Sequence, residues 1–209
     1  QLVPHATAVE CFDAVLKRID WPHRSYETPA PHLKRGYGVS IVCFGLGYGD
    51  GFPDASRARC RLTQDGLVEL YSSGIDVGQG LINMVSQIAA EEIGVPLERV
   101  RPILADTGRT PESGSTSATR QTYFTGSAVQ LAASELKKQL QDIAGAHLEE
   151  LVYEIQIENG EAYNAFRPQK RMTLKQIARE GKRRGFSLEA TSVFKPPTIP
   201  ENTATGQSM

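Results

Sequence analysis

Two turns rich in glycine and hydroxyl side chains carry the residues best suited to chemistry in this 209-residue chain. The first reads Ser72-Ser73-Gly74-Ile75-Asp76-Val77-Gly78-Gln79-Gly80. The second reads Glu112-Ser113-Gly114-Ser115-Thr116-Ser117-Ala118-Thr119-Arg120-Gln121, and each leads into a helical run of apolar residues. A helix start presents unpaired backbone N–H groups and roughly half a positive charge, so it suits an anion. Glycines let the backbone approach a ligand closely, while hydroxyls and amides add donors without net charge. Arg120, next to the second turn, fits anion recognition. Together the turns point to a large polar ligand that bears phosphate. Neither is a nucleotide fingerprint: Gly-x-x-x-x-Gly-Lys-Ser/Thr is absent, and no Gly-x-Gly-x-x-Gly opens a βαβ unit, which disfavours ATP and nicotinamide. A blander reading stays open, a non-catalytic binding or assembly domain whose glycine-rich loops serve packing.

No catalytic residue is assigned. Asp76 and Asp106 read as helix caps or loop braces rather than acid–base groups. His5, His23, His32 and His147 show no ligand spacing, and no Ser–His–Asp or Cys–His arrangement emerges. The loop over residues 45–51 either approaches a ligand or simply turns the chain.

Apolar spacing then sets out the elements that position these turns. Ala8, Phe12, Val15, Leu16 and Ile19 share a helical face ended by Trp21-Pro22, and residues 36–44 read as a buried strand. Two alternating runs, 57–62 and 67–72, flank Gln64-Asp65-Gly66 and predict a hairpin. Leu81, Val85, Ile88 and Ala89 predict a helix stopped by Gly94 and Pro96, followed by a short strand over 100–106. Phe124, Ala128, Leu131, Ala132, Leu136, Leu140 and Ile143 predict a long helix reaching toward Leu148. Tyr153, Ile155 and Ile157 alternate up to an Asn159-Gly160 turn, Thr173-Leu174-Lys175-Gln176 forms a capping box, and residues 186–192 suggest a last strand. The expected class is α+β, mostly antiparallel sheet packed against helices.

Composition narrows the function classes. Apolar content of 40% and charged content of 22% are ordinary for a globular protein, and a net charge of -1 argues against nucleic-acid binding. The one dense basic run, Lys182-Arg183-Arg184, reads as a solvated helix end. No membrane span or signal peptide is seen. Cys11, Cys43 and Cys60 are too scattered for a disulfide framework or a cluster site. Cys43 and Cys60 are expected as buried thiols, and a cytoplasmic location follows as the default. The start at Gln1 and the tail over 195–209 suggest a piece of a longer polypeptide.

The run Gly74-Ile75-Asp76-Val77-Gly78-Gln79-Gly80, with Gln87-Ile88-Ala89-Ala90-Glu91-Glu92-Ile93-Gly94-Val95-Pro96 behind it, strongly resembles the molybdenum hydroxylases, the family of xanthine dehydrogenase and aldehyde oxidase. Ala105-Asp106-Thr107, the 113–120 turn and Gly126-Ser127-Ala128-Val129 continue the likeness in order and spacing, over about residues 34–140. The resemblance implies a segment of the molybdopterin-binding large subunit, closest in look to bacterial xanthine dehydrogenases. Gln79, between Gly78 and Gly80, would match the glutamine that contacts the molybdopterin. Ala118 would match the small residue whose backbone lies beside molybdenum. Ser115, Thr116, Ser117, Thr119 and Arg120 would surround the pterin and its phosphate or nucleotide extension. The implied domains are 34–150 as the cofactor-binding core, 151–194 as a strand–helix–strand extension and 195–209 as a tail leading into further chain.

The implied partners are the rest of the molybdenum subunit, a heterocycle substrate, and other domains or subunits carrying [2Fe–2S] clusters and FAD. The family's catalytic glutamate, in a Gly-x-Gly-Glu motif, and its phenylalanine–glycine loop are both missing from this sequence. The resemblance therefore implies hydroxylation of a purine or related heterocycle or aldehyde, with water as oxygen source, by the parent enzyme and not by this piece alone.

Overall fold

A computed structural model describes residues 7–23, 28, 30–42, 45–48 and 54–197. The chain divides into two compact units, 1–44 and 45–209, a division that falls inside the 34–150 segment drawn from sequence. In the first unit, α1 (Ala8–Arg18) forms where expected and a single 3-10 turn, Trp21–His23, closes it. None of its residues is buried. The strand expected over 36–44 does not form in the described part of that stretch: residues 36–42 have no regular structure, and Ile41 and Val42 are exposed. An alternating or apolar run becomes a strand only when a neighbour pairs its backbone, and no described strand does so. Cys43 lies outside the described residues.

The second unit is built on a β-hairpin. β1 (Ser56–Leu62) and β2 (Val68–Ser72) pair antiparallel with Cys60 opposite Leu70, across the turn at Gln64-Asp65-Gly66. A helix crossover follows: α2 (Leu81–Ile93) returns the chain to β3 (Val100–Leu104), which runs parallel to β2. Parallel neighbours need such a crossover, so this one pair departs from the otherwise antiparallel sheet. α3 (Gly126–Leu148) lies across β1, and β7 (Glu189–Phe194) closes the far edge, giving the order β3-β2-β1-β7.

Alternation along β1 sends Ala58, Cys60 and Leu62 into the core with Val85, Ala89, Ala132, Leu136 and Leu140 from the two helices. Burial pushes the Cys60 thiol up to about 12, so it stays neutral and unreactive there. β2 is buried on both faces. On the side away from the helices, Tyr71 is covered by Arg59, 4.1 Å from its ring centre, and it donates to Glu69 at 2.6 Å.

A smaller sheet, β4 (Ile155–Glu158), β5 (Glu161–Asn164) and β6 (Arg167–Thr173), sits beside the C-terminal half of α3. Its first turn is Asn159-Gly160, both left-handed, as a two-residue hairpin requires. Thr173 and Gln176 form the expected capping box at the start of α4 (Leu174–Arg183). The basic run at the end of α4 is not merely solvated. Arg183 and Arg184 fold back on Glu180 at 2.6 Å, and together they hold its carboxyl at about 2. The α+β class, with mostly antiparallel sheet against helices, is the architecture observed.

Candidate functional site

Both chemistry-bearing turns leave the same end of the large sheet. The first follows β2 and the second follows β3, so parallel pairing of those strands brings the turns side by side. The contact is direct: Ile75 N donates to Thr116 Oγ1 at 2.8 Å. Ser113 N donates to Ser73 Oγ at 2.7 Å, while Ser73 N donates to Ser113 Oγ at 3.0 Å. Between the turns lies a cleft of about 360 Å³ lined by Val77, Gln79, Thr116, Thr119, Gln121 and their neighbours. Its size falls within the roughly 300–1,000 Å³ of small-molecule sites. A larger groove of about 730 Å³ runs between α2 and α3 past Gln87, Glu91 and Gln130, but it joins none of the predicted cofactor residues. The smaller cleft is the better site because both turns wall it.

Beyond those cross-turn bonds, the tip of the first turn is held by its own short-range bonds. Asp76 Oδ1 accepts from Gly78 N at 2.9 Å and Gly80 N at 3.3 Å, and Oδ2 accepts from Ile82 N at 2.9 Å. The N–H groups of Ile82 and then Gly78 hold the Asp76 carboxyl below the usual carboxylate range. Asp76 is thus the brace the sequence suggested. It also corrects the anion expectation at this helix: the first donors of α2 already face a carboxylate of the chain itself. Gln79 folds back likewise, its Oε1 accepting from Val77 N at 2.7 Å and its Nε2 donating to Ile75 O at 3.0 Å. Gly78 and Gly80 have φ of 102° and 80°, and a Cβ at either would meet nothing within 4 Å. Glycine is required by the backbone, and the space beside it is open.

The second turn is held from far away. Arg120 is 1% exposed, and its Nε donates to Asp54 Oδ1 at 2.6 Å. Nη1 donates to Ser113 O and Ser115 O, and Nη2 to Ala55 O. Its guanidinium therefore clamps the turn from below, although the sequence placed it among the cofactor-binding residues. Gly114, with φ of 73°, makes room for this: a Cβ there would come within 2.7 Å of Nη1.

Above the clamp, Ala118 and Thr119 sit at φ of 51° and 54°. Two successive non-glycine residues in the left-handed region, one of them β-branched, store strain that the surroundings must enforce. Gly47 N, donating to Ala118 O at 2.9 Å, is one such constraint; Tyr48, hydrogen-bonded to Ser115 and Ser117, is another. The described start of the 45–51 loop thus rests on the second turn. The turn does not enter an α-helix directly. A π-helical turn, Gln121–Thr125, precedes α3, a distortion frequent at functional sites.

Every predicted site residue from 78 to 80 and from 115 to 120 lies on these two adjoining turns. Asp106 braces its own loop, accepting from Gly108 N at 3.0 Å. Among the described residues no group of His, Cys, Asp and Glu is disposed to hold a metal, and His23 pairs with Asp20. Sequence reasoning missed Asp54, which sits in no motif, and Gln121, which ended the quoted motif without a role.

Comparison with known proteins bears on the same turns. The family described as "Molybdopterin cofactor-binding domain" matches residues 14–209. A putative xanthine dehydrogenase molybdenum-binding subunit of Escherichia coli (strain K12) is 30% identical over 198 residues, 91% of this chain and 26% of that protein. An aldehyde oxidoreductase of Megalodesulfovibrio gigas is 36% identical over 124 residues, 58% of this chain and 13% of its own length. Among solved structures, quinoline 2-oxidoreductase from Pseudomonas putida 86 superposes with a TM-score of 0.63 at 27% identity, over 68% of this chain and 19% of that one. The chain thus spans about a quarter of the E. coli subunit and less of the other two.

Proposed function

Because the chain belongs to the molybdopterin cofactor-binding domain family, we propose that the cleft between its two turns forms one wall of the pterin site in a molybdenum hydroxylase. The observation that carries this is the meeting of the turns through Ile75 and Thr116 in one donor-lined cleft. The donor set suits a pterin with a phosphate extension: neutral hydroxyls of Thr116, Ser117 and Thr119, the amide of Gln79, and open space beside Gly78 and Gly80. In this reading Gln79 exchanges its bonds within the first turn for bonds to the cofactor. Ser115, Thr116, Ser117 and Thr119 line the pterin and its mononucleotide or dinucleotide extension. Ala118, its carbonyl held by Gly47, would present its backbone to the molybdenum end of the cofactor. Arg120 contributes by holding that wall rigid.

The cofactor, when bound, would supply two-electron oxidation of a substrate carbon, with water as oxygen source. This chain's residues bind and orient the cofactor, and the proton transfer belongs to a glutamate outside it. The proposed substrate is a purine such as xanthine, or a related heterocycle or aldehyde. The purine preference is supported by the name of the E. coli relative. The remainder of a molybdenum subunit, [2Fe–2S] clusters and FAD on other domains or subunits, and a cytoplasmic setting complete the proposal. Among the described residues no helix is long and apolar enough to cross a membrane.

The test is cofactor loading. The full chain, expressed in a host that makes molybdopterin, should co-purify with molybdenum and pterin, measured by elemental analysis and by pterin fluorescence. Ala118→Val, which puts a β-branched residue at positive φ, and Gln79→Leu should each lower both. Equal loading of both variants and the parent would overturn the assignment.

A further inference from the structure

Gln121 is 7% exposed, yet one of the two polar atoms of its side chain has no partner. Its Nε2 donates to Ser115 O at 3.1 Å and to Thr116 Oγ1 at 3.0 Å. The orientation is forced, since a carbonyl can only accept and a flipped amide would set oxygen against oxygen. Oε1 consequently faces the Gly74 side, where an added Cβ would come within 2.9 Å of it. A buried acceptor left unsatisfied in a folded protein calls for an explanation.

Thr116 supplies one. A hydroxyl has two lone pairs and one proton. Thr116 Oγ1 already accepts twice, from Ile75 N at 2.8 Å and from Gln121 Nε2 at 3.0 Å. Its acceptor capacity is filled, so the hydroxyl has only its proton to offer, and Thr116 lines the cleft beside Gln79 and Thr119.

We propose that Gln121 is a positioning residue that fixes the Thr116 hydroxyl as a one-way donor into the cleft, so that this point of the wall selects a hydrogen-bond acceptor, a phosphate or carbonyl oxygen of the ligand. The inference rests on the cofactor reading above for the identity of that ligand, but its geometry belongs to Gln121, Thr116 and Ile75. The unsatisfied Oε1 is the consequence of aiming the amide's donors at Thr116 and Ser115. Gln121→Glu reverses the polarity: a carboxylate accepts the Thr116 proton and withdraws it from the cleft.

The experiment compares the full chain with Gln121→Glu, Thr116→Val, Thr116→Ser and the double variant Gln121→Glu/Thr116→Val. Molybdenum and pterin content is read after expression in a molybdopterin-producing host. Inorganic phosphate is separately titrated and followed by amide chemical shifts of Ile75, Thr116 and Gln121. Thermal melts establish that each variant is folded. Gln121→Glu and Thr116→Val should each weaken binding about tenfold, the loss of one hydrogen bond. Thr116→Ser should bind like the parent. The double variant should be no weaker than either single one, because both act through the same proton.

Folded Gln121→Glu that binds as the parent does, or a double variant whose losses multiply, would overturn the proposal. A parent that carries no pterin but binds phosphate with this pattern of variants would sink the cofactor reading and leave the Thr116 donor standing. A parent that binds neither would overturn both.

Discussion

The two turns that wall the cleft are built on opposite plans. The first is tied to the second at its root, through Ser73 and Ile75, but at its tip Asp76 and Gln79 bond to backbone groups within six residues, and Val77, Gly78 and Gln79 are exposed. In the second, Arg120 reaches a carboxylate 66 residues away, and Ser113 is fully buried. Locally braced structure can rearrange at the cost of the brace alone, whereas structure clamped from the core moves only if the core gives. The second turn therefore provides the fixed surface of the cleft, including the strained Ala118–Thr119 pair. The tip of the first, over residues 76–80, provides the side that adjusts to a ligand. Such a division between rigid and adjustable walls gives a site both pre-organisation and access.

The largest effect that could break this contrast comes from Arg120. Arg120→Met keeps the volume of the stem but leaves Asp54 buried and uncompensated, which should destabilise the second unit by about 3–5 kcal/mol. Urea unfolding would measure it, and limited proteolysis should cut the variant within 113–119. A loss below about 1 kcal/mol, typical of exposed ion pairs, would mean that the clamp is not what holds the turn. Next in size is Ser113→Ala. The hydroxyl donates to Arg57 O at 2.7 Å and accepts from Ser73 N, so its removal orphans groups in a buried setting. The expected cost is about 1–3 kcal/mol by the same unfolding measurement.

The same contrast explains how much could be read from sequence. The hairpin at Gln64-Asp65-Gly66, the capping box at Thr173 and Gln176, and the length of α3 all rest on signals within a few residues, and all are observed. The Asp76 brace belongs with them, because a carboxylate just before a helix finds its N–H partners nearby. The clamp made by Arg120 is not legible in the sequence because its partners lie on distant chain: nothing beside it announces Asp54 or Ala55. The apolar run over 36–42 failed for a related reason, since periodicity reports a face fit for burial and not the neighbour that must cover it. That the two turns serve one ligand is suggested by their shared composition and by the family likeness, but neither gives the geometry that joins them. In physical terms that geometry depends on the parallel pairing of β2 and β3, which no local pattern encodes.

The smallest predicted effect is a pH response confined to the first turn. The Asp76 carboxyl is held below its ordinary value of 3.8 by the N–H groups of Ile82 and Gly78. A lowered value in the folded state means that the brace stabilises the turn at every pH above 3.8, and that this support is lost as pH falls through the folded value. Hydrogen exchange of the Gly78, Gly80 and Ile82 amides, taken relative to intrinsic rates, should show less protection at pH 2.5 than at pH 6. The Ser73 amide, held by the uncharged hydroxyl of Ser113, should not follow them. Asp76→Asn keeps a neutral acceptor in place, so it should lower protection modestly at pH 6 and abolish the difference between the two conditions. An unchanged pH response in that variant would assign the effect to some other group and remove the titrating brace from the contrast between the turns.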